Sequence, residues 1–135
     1  MDLNNDELKN AITNINNDLN KETETEFLNL LKDAAFYVLT ETKIDEEIIT
    51  DEMIKSNNAF SLLLLNTSEG EGYFPLFTSE NELDNPNIPN NKVTIEFKNL
   101  LKILEVNELS EGIVINPFNE PFTFPKEEIF RIFEI

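Results

Sequence analysis

The side chains available for chemistry in this sequence are mainly carboxylates. The 135 residues include 27 Asp and Glu but no His and no Cys. The usual general base near neutral pH, the thiolate nucleophile and the common transition-metal ligands are therefore all missing. Close acidic pairs such as Glu69 with Glu71, or Glu127 with Glu128, are expected by chance in so acidic a chain. We expect a protein that is not an enzyme and that holds no cofactor and no metal.

Two short segments look like ligand-binding loops but lack the residues that such loops need. The acidic cluster from Asp45 to Glu52 could hold Ca²⁺ or Mg²⁺ through oxygen atoms, yet it has neither the spaced acidic ligands nor the central glycine of an EF-hand. In Gly70-Glu71-Gly72 an acid separates the glycines, and no Gly-Lys-Ser/Thr follows, so the segment is not a phosphate loop. A solvated face and a turn are the simpler interpretations.

The net charge of the chain is −17, with 10 Lys and Arg against 27 acids, and the excess is spread over both halves. Such a field repels phosphate backbones and anionic lipid headgroups, whereas nucleic-acid binding depends on Lys and Arg that neutralise phosphates. We therefore expect no nucleic-acid partner and no membrane contact. A basic protein partner and simple colloidal solubility both remain open.

The N-terminus gives the expected compartment. Its first residues are acidic and polar, where a secretory signal would be basic and then apolar, and the longest strictly apolar run is Leu62 to Leu65. Export and membrane spanning are both disfavoured by these features, so a cytoplasmic location is expected.

Apolar spacing predicts two helices and a strand in the first forty residues. The first helix spans Asp6 to Leu19. A capping box from Thr23 to Glu26 opens a second helix, and Phe36 to Leu39 favours a strand. The apolar stripe of the first helix consists of Leu8, Ile12, Ile15 and Leu19. Between Thr40 and Asn58 the pattern fits either a helix or an exposed loop.

The remaining elements follow from turn signals and apolar runs. The predicted strands are the hairpin Ser61–Asn66 with Tyr73–Phe77, then Val93–Ile95, Ile113–Ile115 and Phe122–Phe124. The predicted helices are a short one opened by a Ser79–Glu82 capping box, one from Phe97 to Leu104, and a last one that begins at Pro125. Without repeats or linkers, this pattern predicts a single α+β domain, with a mixed sheet of about six short strands packed against helices.

The strand from Tyr73 to Phe77 carries the candidate binding residues. It is apolar on both faces, which favours a strand buried on both sides, and Pro75 cannot donate to a ladder, which favours an edge or a bulge. The alternative is a groove with a polar rim, where another chain could dock or add to the edge. The candidate interaction surface comprises Tyr73, Pro75, Phe77, Thr78, Ser79, Asn116 and Pro117.

The order of several segments resembles the N-terminal domain of the SseB family, named for enhanced serine sensitivity. They are Phe27–Val38, Phe74–Ser79 with Glu82–Leu83, Val93–Leu104, and Gly112–Pro117 with Pro125–Ile129. On this basis residues 1–22 form an N-terminal polar helix extension, and residues 23–135 form the SseB N-terminal-like α+β domain.

The resemblance implies a cytoplasmic bacterial domain with no established enzymatic activity and no catalytic residues. Together with the charge, it favours a non-catalytic protein-interaction module that acts through an acidic, aromatic-rimmed surface. An inhibitor- or immunity-like role toward a basic partner is a sharper form of this hypothesis. The alternative is a small-ligand or divalent-metal-dependent carboxylate enzyme with a groove near Thr78, Ser79 and Asn116.

Overall fold

The computed structural model describes residues 3–41, 44–45, 47–55, 61–66, 69–84 and 91–133. Over these ranges the chain forms an α+β fold, as predicted. The helices are α1 (Asp6–Asn17), α2 (Lys21–Leu31), α3 (Asp51–Lys55), α4 (Phe97–Val106) and α5 (Lys126–Phe133), with a 3₁₀ helix at Glu80–Leu83. The strands are β1 (Ala35–Leu39), β2 (Ile48–Ile49), β3 (Leu65–Asn66), β4 (Gly72–Leu76), β5 (Lys92–Glu96), β6 (Ser110–Ile115) and β7 (Phe122–Pro125).

The seven strands found in the described ranges form two mixed sheets, where the sequence predicted one sheet of about six. One sheet has the order β1-β5-β2, and the other has the order β3-β4-β6-β7. β4 and β6 run parallel, whereas β3 and β7 are antiparallel to their neighbours. The sheets are joined where Tyr37 and Phe77 exchange two backbone hydrogen bonds of 2.9 Å. The two sheets therefore share one core.

The core contains the apolar helix faces that were predicted from the spacing of apolar residues. α1 buries a stripe of four residues, and α2 buries Phe27 and Leu31. The Phe27 ring centroid lies 4.6 Å from that of Phe122 and 6.3 Å from that of Phe124, so α2 packs onto β7. Tilted ring pairs at these distances add about 1 kcal/mol each beyond the area that they bury. The buried residues of α1 are Leu8, Ala11, Ile12 and Ile15.

The boundary between α1 and α2 differs from the prediction. α1 ends at Asn17, and Leu19, predicted to belong to its stripe, is 71% exposed. The capping box is formed by Asn20 and Thr23: the Thr23 amide donates to Asn20 Oδ1 at 3.0 Å, and the Asn20 amide donates to Thr23 Oγ1 at 3.1 Å. The predicted box at Thr23 and Glu26 was wrong because Asn20, an equally good N-cap, begins the helix one turn earlier.

The two other predicted helix starts had different outcomes. Ser79 is the N-cap of the 3₁₀ helix, as predicted, but its side chain makes no cap bond, so the second capping box does not form. Pro125 is the last residue of β7, and α5 begins at Lys126.

The ambiguous segment before residue 58 contains a short strand, which neither the helix nor the loop interpretation predicted, and a short helix. Ile48 and Ile49 pair in parallel with β5, and the helix that follows is restricted to Asp51–Lys55. The predictions that fall on residues 42–43, 46 and 56–58 lie outside the described residues.

β4 is an internal strand, not an edge. It lies between β3 and β6, and its register shifts between Gly72 and Tyr73, as expected for a bulge. Among the described residues, β3 pairs with Gly72 and Tyr73 and not with Pro75, and Leu63 donates its amide to the Leu39 carbonyl at 2.8 Å instead. No residue of β3 lies opposite Pro75, so the proline interrupts no ladder bond on that side of the strand. The prediction that this strand is buried on both sides is confirmed.

Gly112 permits the close approach of β6 and β7, and we predict that Gly112→Ala destabilises the protein. Gly112 has φ +154°, and an added Cβ would collide with the Phe124 carbonyl oxygen and lie 3.0 Å from the Lys126 amide. We expect the free energy of unfolding to fall by about 3 kcal/mol in urea denaturation.

The matched control is Gly70→Ala. Gly70 has φ +87°, but none of the described residues lies within 4 Å of an added Cβ, so only the backbone cost of about 1 kcal/mol applies. Equal losses in the two variants would show that the collision at Gly112 is not the cause.

Candidate interaction surface

The carboxyl ends of β4 and β6 hold most of the predicted site residues, and these residues are buried. The Thr78 amide donates to Asn116 Oδ1 at 3.1 Å, and Asn116 Nδ2 donates to Thr78 Oγ1 at 3.0 Å. Thr78 and Asn116 are 0% and 4% exposed, and both Pro75 and Phe77 are buried as well. These four side chains satisfy one another or fill the core, so they present little surface to a partner.

The start of α1 covers this end of the sheet. Asn5 Nδ2 donates to the carbonyls of Ala35 and Thr78 at 2.9 and 3.0 Å. An ion pair of 3.2 Å between Lys9 and the buried Glu82 holds the same helix against the 3₁₀ helix. Of the predicted residues at this end, only Ser79 and Pro117 remain partly exposed.

Tyr73, the seventh predicted residue, lies at the opposite end of β4. The seven residues therefore do not form one continuous surface, and their role in binding stays a prediction.

The amino ends of β4 and β6 are the more accessible end of this strand pair. Parallel strands begin at the same edge of a sheet, so Tyr73 lies beside the segment from Leu109 to Glu111. The Tyr73 hydroxyl donates to the Glu71 carboxylate at 3.1 Å. This edge therefore combines a partly exposed aromatic ring with carboxylates.

Next to this edge is a cavity of about 290 Å³, which we call the acidic cleft. Its lining residues come from α3, the end of α4, β4 and the segment before β3. They are Glu41, Met53, Ile54, Ser61, Leu62, Leu64, Phe74, Ile103, Val106, Asn107 and Leu109. Val106 and Leu109 at its rim are each 75% exposed. Large apolar side chains gathered at the rim of a cavity are typical of a contact surface, whereas a single exposed leucine is not.

Carboxylates lie next to the exposed apolar pair along the chain. Glu105, Glu108 and Glu111 neighbour Val106 and Leu109 along the chain, and all three are exposed. The ion pairs formed between described residues include none of these three acids. A cation is also nearby, because the Lys126 ammonium donates to the Asn107 carbonyl.

The acids also act on Tyr73. Partial burial is the largest cause that raises the pKa of the phenol, and the hydrogen bond to Glu71 is the next. The negative charges of Glu71, Glu111 and Glu69 raise the pKa further. The phenol therefore stays a neutral donor at physiological pH.

The prediction from sequence missed Val106 and Leu109. Val106 is the last residue of α4 and Leu109 follows it after three positions, in a stretch whose other residues are mostly acidic or polar. The signal that could have found them is an apolar residue outside any helical stripe, flanked by Glu105 or Glu108.

The chain matches the family model described as SseB protein N-terminal domain over residues 8–131. It therefore belongs to the SseB family, as the resemblance predicted. The match begins at residue 8 and includes most of α1, and the predicted division between residues 22 and 23 stays a prediction. No curated protein and no solved structure matches the chain.

None of the helices in the described residues has the length and apolar character needed to span a bilayer. In the same part of the chain, no group of three acidic side chains is placed so that it could hold a metal ion.

Replacement of Asn116 tests its structural role. Asn116 has φ +52° and bonds Thr78 on two atoms. We expect Asn116→Ala to lower the free energy of unfolding by about 3 kcal/mol, because it loses these bonds and keeps a left-handed backbone. Asn116→Gly accepts that backbone freely and is expected to lose about 1 kcal/mol less. An Asn116→Ala protein as stable as the parent in urea denaturation would contradict this role.

Titration of Tyr73 tests the electrostatics of the edge. Tyrosinate absorbance is followed against pH in the parent and in a Tyr73→Phe variant. We expect the difference between the two curves, which reports Tyr73, to have its midpoint above the ordinary phenol pKa of about 10. Because Glu71 raises the pKa, Glu71→Gln should move that midpoint down. No change on Glu71→Gln would mean that the carboxylate does not act on the phenol.

Proposed function

We propose that this chain is a non-catalytic protein-interaction module that binds a partner protein through the acidic cleft. The observation that carries this proposal is the pair of exposed apolar side chains, Val106 and Leu109, at the rim of a cavity whose lining residues are mostly apolar. Burial of one such side chain on binding is worth about 1.5 to 3 kcal/mol. Val106 and Leu109 together supply an exposed apolar contact that a partner can bury.

The charge selects the class of partner. The chain carries −17, and the three acids next to the apolar pair in sequence form no ion pair among the described residues, so a basic protein is favoured and a nucleic acid is disfavoured. An inhibitor- or immunity-like role toward such a partner is the sharper form of the proposal. The bacterial cytoplasm is the proposed location, because members of the SseB family are expected to be cytoplasmic bacterial proteins.

A ligand-dependent or metal-dependent carboxylate enzyme has less support. Its groove would include Thr78 and Asn116, which are buried and bonded to each other. Ser79 Oγ is a buried atom without a hydrogen-bond partner in the described part of the chain, but one hydroxyl does not make a reaction centre.

Capture of partners from the native cell with matched baits tests the proposal. Leu109→Ser removes an apolar side chain from the rim of the cleft, whereas Leu19→Ser removes one of similar exposure before α2, 71% against 75%. We expect a specific partner to be depleted about tenfold or more on the Leu109→Ser bait, which corresponds to about 1.4 kcal/mol. The Leu19→Ser bait should retain it.

Thermal melts of both baits provide the folding control. Both sites are exposed, so the midpoints should stay close to that of the parent. If every captured protein binds the two folded baits equally, the cleft is not the contact surface.

A further inference from the structure

Resting on this proposed interaction role, we infer that the acidic cleft takes a basic amphipathic helix of the partner protein. The apolar side chains of that helix would enter the cleft between Val106 and Leu109, and its Lys and Arg residues would face the surrounding carboxylates.

The backbone at the mouth of the cleft favours side-chain recognition over strand addition. The amides of Leu109 and Ser110 already donate to Asn107 Oδ1, at 2.8 and 3.0 Å. On the opposite side, the Leu63 amide donates to the Leu39 carbonyl at 2.8 Å. A strand needs a row of available amides and carbonyls, and these amides are taken. An amphipathic helix satisfies its own backbone and binds a groove with its side chains alone.

The charge of the rim excludes a second copy of this chain as the favoured occupant. Two copies would bring Glu105, Glu108 and Glu111 of each protomer together, and each protomer carries −17. A helix whose polar face is basic gains from the same carboxylates. Glu41, which lines the cleft, adds another exposed acid.

The probe is a synthetic peptide of about 18 residues, with Leu repeated at helical spacing and Lys at the other positions. The first comparison peptide replaces every Lys by Glu. The second keeps the composition but scrambles the order, so that Leu no longer falls on one face. We expect the Leu-Lys peptide to bind more than tenfold tighter than either comparison peptide in calorimetric titration, and to become helical by circular dichroism when bound.

Two triple variants of this chain separate local charge from total charge. One changes Glu105, Glu108 and Glu111 to Gln beside the cleft. The other changes Glu22, Glu24 and Glu26 to Gln on α2, from which no residue lines the cleft. Both alter the net charge equally. We expect at least a tenfold loss of affinity for the Leu-Lys peptide in the first variant and less than about a threefold loss in the second.

Several outcomes would overturn the inference. Equal losses in the two triple variants would mean that total charge alone attracts the peptide, and a larger loss in the α2 variant would place binding at that helix instead of the cleft. If the scrambled peptide binds as tightly as the Leu-Lys peptide, the cleft does not recognise an amphipathic helix.

The inference and the proposed function fail in different ways. If no Leu-Lys peptide binds the cleft but the Leu109→Ser bait still loses a partner, the inference fails and the interaction role stands. If that bait loses nothing, the interaction role fails as well.

Discussion

The parallel pairing of β4 (Gly72–Leu76) with β6 (Ser110–Ile115) is the contact on which the rest of the structure depends. Because the strands are parallel, the segments that precede them meet at one edge and the segments that follow them meet at the other. The following segments bring Thr78 to Asn116 and close a buried polar pair. The preceding segments place Ser110 opposite Gly72, with Leu109 and Glu71 just before them. One pairing therefore makes one end of the sheet structural and leaves the other end available.

The same pairing explains why the exposed apolar residues lie where they do. α4 packs its buried face, including Leu100 and Leu104, into the core and ends at Val106, close to the edge where β6 begins. Asn107 stabilises the turn into β6, because its Oδ1 accepts hydrogen bonds from two backbone amides. That turn leaves the Leu109 side chain at the surface, outside the core. The apolar rim is thus a consequence of a short, well-bonded connection between a helix and a strand.

Local patterns predicted most elements but not how distant elements meet. α4 followed from the spacing of Phe97, Leu100 and Leu104, because a helical face depends only on near neighbours. The polar rim predicted around Thr78 and Asn116 could not be recognised as buried, since their contact joins residues 38 positions apart and depends on the β4–β6 register. Helix starts were misplaced where several polar residues could each act as the cap.

The most direct test is backbone amide hydrogen exchange of the whole chain, measured alone and with its captured partner bound. Binding in the acidic cleft predicts that the partner slows exchange in the segments around the cleft, Met53–Ile54, Ser61–Leu64 and Glu105–Glu111, and leaves exchange around Thr78 and Asn116 unchanged. Slowed exchange confined to the Thr78 and Asn116 end, or to α1 and α2, would contradict it.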